Sequence, residues 1–151
     1  KRNKTTTVVK AYDKRTEDGR DDDWGPVAGV GVICQRVTYD EFTDGGAAVG
    51  TLVLDDSIPL GAFVVRTLIE NVTGFAGNTS AALTVGDGST ADRYNTSTVN
   101  VFSTATVLDA GAVSGTALHT AAKNVTLTIT VNSDWGLVTA GALTIKIFYY
   151  L

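Results

Sequence analysis

The stretch Val125-Thr126-Leu127-Thr128-Ile129-Thr130-Val131 decides the fold class. Apolar and hydroxyl side chains alternate through seven positions, and successive side chains of an extended strand point to opposite faces of a sheet. One face of this segment covers a core and the other meets solvent. Leu143, Ile145, Ile147 and Tyr149 repeat the pattern near the end of the chain, offset by Thr144, Lys146 and Phe148. Working back from these two, apolar runs of strand length occupy residues 30–39, 48–54 and 62–72. In the last of these Phe63, Val65, Thr67 and Ile69 alternate with Val64, Arg66, Leu68 and Glu70. Residues 81–85 and 98–102 give shorter strands. Asp44-Gly45-Gly46, Asp55-Asp56-Ser57, Gly86-Asp87-Gly88 and Ala140-Gly141 supply the turn chemistry between strands.

Composition supports the same reading. The 151 residues include 23 Thr and 19 Val, β-branched types that suit a pleated, half-buried surface. Helix content is confined to residues 110–122, where Gly111, Gly115 and Thr116 limit it to one short helix or turn. Seven or eight short strands with Gly-rich turns and no alternation with helices predict an all-β fold: an antiparallel β-sandwich, jelly-roll-like, with an extended N-terminal arm. The pattern leaves the strand order open.

Length fits one domain, large enough to bury a core without covalent staples. Charged residues are 19% of the chain and the formal net charge is -4. That balance excludes wholesale disorder and argues against attraction to nucleic acid. No apolar run approaches the roughly 18 residues of a membrane span, and no signal-like segment opens the sequence. Met is absent even at position 1, which leaves open a removed initiator or a longer leader. The single cysteine, Cys34, excludes an internal disulfide framework.

Charge divides the chain unevenly. Residues 1–23 hold seven basic and six acidic side chains, ending in Asp21-Asp22-Asp23, and Trp24-Gly25-Pro26 then introduces the apolar body. Residues 1–26 are therefore read as a charged N-terminal arm and loop, and residues 27–151 as the sandwich. Within the arm, Thr5, Thr6, Thr7, Val8, Val9 and Lys10 form a strand-like segment, the candidate for reaching a neighbouring subunit by adding to its sheet edge.

Catalytic and metal-binding patterns fail one by one. His119, the only histidine, has no nucleophile elbow near it and reads as structural. One His and one Cys cannot make a zinc site of the usual kind, and Cys34 reads as a small buried hydrophobe. Gly25, Gly29 and Gly31 lack the Lys-Ser/Thr of a phosphate loop. Asp40, Glu41, Asp44, Asp55 and Asp56 are carboxylates of the type that glycosidic chemistry uses in pairs, but all lie in turn-like stretches. Residues 87–92 offer oxygens without calcium-loop spacing and read as an Asp-stabilised turn. The N-x-S/T triplets starting at Asn3, Asn71, Asn78, Asn95 and Asn124 follow from the abundance of Thr. The sequence thus predicts no enzyme, cofactor or metal.

One resemblance adds to this reading. The run Gly61-Ala62-Phe63-Val64-Val65-Arg66-Thr67-Leu68-Ile69-Glu70-Asn71-Val72, the turn Gly86-Asp87-Gly88-Ser89-Thr90-Ala91-Asp92, and Thr139-Ala140-Gly141 leading into the last strand resemble small structural proteins of tailed bacteriophages, most of all capsid decoration (cement) proteins. The likeness covers roughly residues 57–151 and is one of strands and turns. It implies a jelly-roll-like virion component on the capsid surface, a homotrimer whose partner is the major capsid protein, with neither nucleic acid nor membrane as partner and with no active-site residues to carry over. The other readings are a fibre or tail-associated binding module and a tail-tube or connector component. For a sugar-binding module the candidate aromatics are Trp24, Tyr39, Tyr94, Trp135, Tyr149 and Tyr150. Trp135 in its turn is foremost, although packing on the sandwich end is the commoner role for such a residue.

Overall fold

A computed structural model describes residues 7–9, 29–112 and 118–151. Among them are ten strands: β1 (Thr7–Val9), β2 (Val30–Thr38), β3 (Thr43–Asp44), β4 (Val49–Ile58), β5 (Phe63–Ala76), β6 (Ala81–Gly86), β7 (Val99–Asn100), β8 (Ala105–Ala112), β9 (Lys123–Val131) and β10 (Ala140–Tyr150). Two single 3₁₀ turns, Tyr39–Glu41 and Trp135–Leu137, complete the regular structure, and no described residue is α-helical.

The strands form two five-stranded sheets, ordered β1-β2-β10-β5-β8 and β3-β4-β9-β6-β7. All their pairings are antiparallel. The order has a simple logic. From β2 to β10 the chain doubles back between β6 and β7, so that β2 meets β10, β4 meets β9, β5 meets β8 and β6 meets β7. Rolling this long hairpin sets β10 beside β5 in one sheet and β9 beside β6 in the other. This is the connectivity of a jelly roll, a sandwich of two interleaved Greek keys.

The alternating segments behave as their pattern demands. Val125, Leu127, Ile129 and Val131 of β9 are buried, as are Leu143, Ile145, Ile147 and Tyr149 of β10. Because β9 and β10 lie at the centres of their respective sheets, their apolar faces form the middle of the core.

The structure corrects the sequence at four places. In β5 a bulge between the Arg66↔Phe148 and Val64↔Tyr149 pairs leaves Val65 without a partner on β10. The extra residue shifts the alternation: Val64, Thr67 and Ile69 are buried, while Phe63, Val65 and Arg66 face out. Asp55 and Asp56 lie within β4 rather than in a turn, where pairing with β9 lapses between Val53 and Ser57. Ala140-Gly141 opens β10 instead of preceding it, and a Cβ at Gly141 would collide with the Phe75 ring. Residues 110–112, expected to begin a short helix or turn, complete β8; Gly111 sits there with a φ of 86°. Neighbouring β5 supplies backbone partners that local propensity could not foresee.

Candidate functional site

Each end of the sandwich is closed by side chains. At one end Trp135 is buried against Phe42 and Phe75, with ring centroids 5.4 and 6.4 Å away. Phe42 meets Phe75 edge-on at 5.9 Å. Asp134 holds the Trp135 turn by accepting a hydrogen bond from the Gly136 N–H at 2.8 Å, and the Trp135 N–H donates to Ala47 at 2.7 Å. Gly50 lies directly beneath the indole, and a Cβ there would collide with it. Trp135 therefore packs the core. Tyr94 and Tyr149 are buried as well and Tyr39 is half-buried, which leaves Tyr150 as the exposed sugar-binding candidate among the described residues. Trp24 lies outside them.

The opposite end carries most of the chemistry-bearing side chains, and they face inward. After β6 the chain turns at Asp87, whose Oδ1 accepts from the Ser89 N–H (3.1 Å), the Ser89 hydroxyl (3.0 Å) and the Thr90 N–H (2.8 Å). Gly88 allows this turn with a φ of 82°. Asp87 Oδ2 lies 2.8 Å from Arg93 Nε and 4.0 Å from Lys123 Nζ at the start of β9. Burial raises the pKa of this carboxyl, but the hydrogen bonds from Thr90 and Ser89, with the Arg93 charge, outweigh burial and hold it below the ordinary aspartate range. Asn95 accepts from the Val85 N–H at 2.8 Å and donates to the Ser97 carbonyl at 2.9 Å, tying the loop back to β6.

Beneath this turn, the Tyr94 hydroxyl lies 3.3 Å from His119 Nε2. Burial and the nearby Asp87 push the Tyr94 hydroxyl up to about 12. Burial, followed by the Arg93 charge, lowers the His119 pKa; Asp87 pulls the other way, and Lys123 adds a smaller lowering. The His119 backbone fixes the turn before β5: its N–H donates to the Ala62 carbonyl at 2.9 Å, and its carbonyl accepts from the Gly61 N–H at 2.7 Å. The cluster ties together the β6–β7 loop, the entrance to β5 and the start of β9. Within it Asp87 is ion-paired with Arg93, and Tyr94 faces His119.

The remaining candidates are dispersed. Glu41 accepts from the Thr38 N–H (2.8 Å) and Asp44 from the Gly46 N–H (2.8 Å), both local turn contacts. The Asp55 N–H donates to Gln35 Oε1 at 3.0 Å. No group of three or more His, Cys, Asp and Glu side chains suited to a metal ion occurs among the described residues. Cys34, expected to be buried, is only half-buried: the β2 alternation turns Ile33 and Val37 inward and Cys34 outward, opposite Lys146. Of the arm, Thr7, Val8 and Val9 form β1, paired with Val32, Gly31 and Val30 of the same chain; Thr5, Thr6 and Lys10 lie outside the described residues.

The sequence reading missed the outer face of the first sheet. Val30 on β2, Tyr150 on β10, Phe63 on β5 and Leu118 are successive cross-strand partners, so their side chains emerge in one row. Their fractional exposures are 37, 48, 49 and 56%. Farther along the same face the side chains are charged and paired with each other, Lys146 with Glu70 at 2.6 Å and Arg66 with Asp109. Consecutive apolar residues at 147–151 were the available signal; only the register shows that they line up with Phe63 and Leu118.

The fold matches a chain of a solved structure described as the cyanophage Pam1 capsid asymmetric unit, with a TM-score of 0.57, 24% identity, and coverage of 82% of this chain and 86% of that one. The likeness is one of fold. No protein-family model matches the sequence, and no curated protein matches it.

Proposed function

We propose that this chain is a structural protein of a bacteriophage virion, a decoration or cement protein that binds the outer shell and stabilises it by bridging neighbouring capsomers. The observation that carries the reading is the fold likeness to a chain of a phage capsid asymmetric unit, which spans most of both chains. The inward-facing polar cluster fits it, because Asp87, Tyr94 and His119 are engaged in holding loops together. In this reading the protein acts by covering surface and transforms no molecule.

Contacts that exist only in the assembled shell stabilise that state by mass action, and about 800 Å² per partner suffices for specific docking. The partners in this reading are the major capsid protein and further copies of the chain, as a homotrimer at the capsid surface. The net charge of -4 gives no general attraction to nucleic acid, and no helix among the described residues is long and apolar enough to cross a membrane. Co-sedimentation of purified protein with empty capsids tests the proposal: saturable binding that raises the temperature of shell disruption is the expected result. Protein left in the supernatant at micromolar concentration refutes it. Removal of residues 1–23 is expected to weaken binding and leave a folded body; unchanged affinity would remove the arm from the mechanism.

A further inference from the structure

We infer that the apolar row Val30–Tyr150–Phe63–Leu118 on the outer face of the first sheet is a self-association surface, whose occupant is a second copy of this chain. Four cross-strand partners place their side chains side by side, each between about a third and three-fifths exposed. Val65, turned outward by the β5 bulge, and Leu60 and Leu151, which adjoin the row in sequence, extend the exposed apolar character of this corner. Together they leave on the order of 500 Å² of apolar surface open, at the upper end of what a typical monomer exposes in one patch.

Three features select a copy of the chain over another occupant. A pleated sheet face is broad and shallow, and the surface that complements it is another sheet face packed about 10 Å away. Among the described residues, Lys146 and Arg66 near the row are already paired on their own sheet, with Glu70 and Asp109, so neither calls for an oppositely charged partner. Finally, two such faces laid together bury on the order of 1,000 Å² in total, the lower threshold of a biological interface. The assignment rests on the structural-protein reading and goes beyond it: like faces laid together make a two-fold contact, distinct from the three-fold contact of the proposed homotrimer.

The test is sedimentation velocity of the full chain at micromolar concentration, alongside Phe63→Glu and Leu118→Glu in the row and Val53→Glu, an equally exposed valine on the other sheet. Thermal melting identifies the variants that fold, and Tyr150→Lys replaces any row variant that does not. The expected result is an assembled wild type, at least tenfold weaker association in folded row variants, and unchanged association in Val53→Glu. A monomeric wild type, or folded row variants that assemble as well as wild type, overturns the inference. Capsid co-sedimentation run in parallel separates the two proposals. Assembly without capsid binding supports this face and refutes the capsid reading; capsid binding by a monomer does the reverse.

Discussion

Gly50 and Trp135 provide a test of the packing that does not depend on any functional reading. Trp135 is buried in a three-ring cluster with Phe42 and Phe75, and the bare backbone of Gly50 lies against its indole. Trp135→Ala removes the transfer free energy of the indole and leaves a cavity, a cost of about 3–5 kcal/mol for a buried Trp. The two aromatic contacts place it in the upper half of that range. For a chain of this length the loss corresponds to a fall in Tm of roughly 8–20 °C.

Gly50→Ala tests the same contact from the other side. In a β-strand, Ala is ordinarily favoured over Gly by about 0.5–1 kcal/mol. Here its methyl would enter the indole, which the two phenylalanines keep from moving, so a cost of about 1–3 kcal/mol is expected in the wild type. In the Trp135→Ala background the obstruction is gone, and Gly50→Ala should be neutral or stabilising. The double mutant should therefore cost at least about 1 kcal/mol less than the sum of the two single costs, a coupling beyond the few tenths seen for independent sites. Urea unfolding of the four proteins at one fixed concentration measures it. Equal effects of Gly50→Ala in both backgrounds would refute the proposed contact.

Other perturbations have equally definite outcomes. His119 is held with its pKa below the ordinary 6.5, so on acidification the unfolded chain takes up a proton that the folded chain resists. Stability should fall as pH drops from 6.5 to the lowered folded value, with a slope of at most about 1.4 kcal/mol per pH unit, and denaturant titrations of His119→Gln should lack this slope. Asp87 is shifted in the same direction, which for an acid favours the charged form: its stabilisation is present above the ordinary 3.8 and is lost as pH falls through the depressed folded value. Asp87→Ala should therefore cost about 2–4 kcal/mol at neutral pH, by stripping the turn of its acceptor and leaving Arg93 without its partner, and should flatten the acid limb of the stability profile. Ile129→Ala, at the fully buried centre of the second sheet, should cost about 2–5 kcal/mol in urea unfolding.

Much of the fold was legible because period-two alternation is a local property. Thr126, Thr128 and Thr130 could face outward in only one phase once Val125, Leu127 and Ile129 faced the core, and the same holds for the last strand. Gly86-Asp87-Gly88 was equally plain, since an Asp side chain caps its own turn within three residues. The all-β class and that turn therefore belong to the sequence alone. Which strands are neighbours, and which face an interrupted strand presents, depend on backbone partners distant along the chain. The Val65 bulge became evident only against β10, β8 only against β5, and the alignment of Val30, Tyr150, Phe63 and Leu118 only across three pairings spanning most of the chain. The lowered pKa of His119 likewise comes from burial and then from Arg93, which the rolled hairpin brings to the same end of the sandwich. Local periodicity determined what each segment is, whereas hydrogen bonding between remote segments decided what each side chain meets.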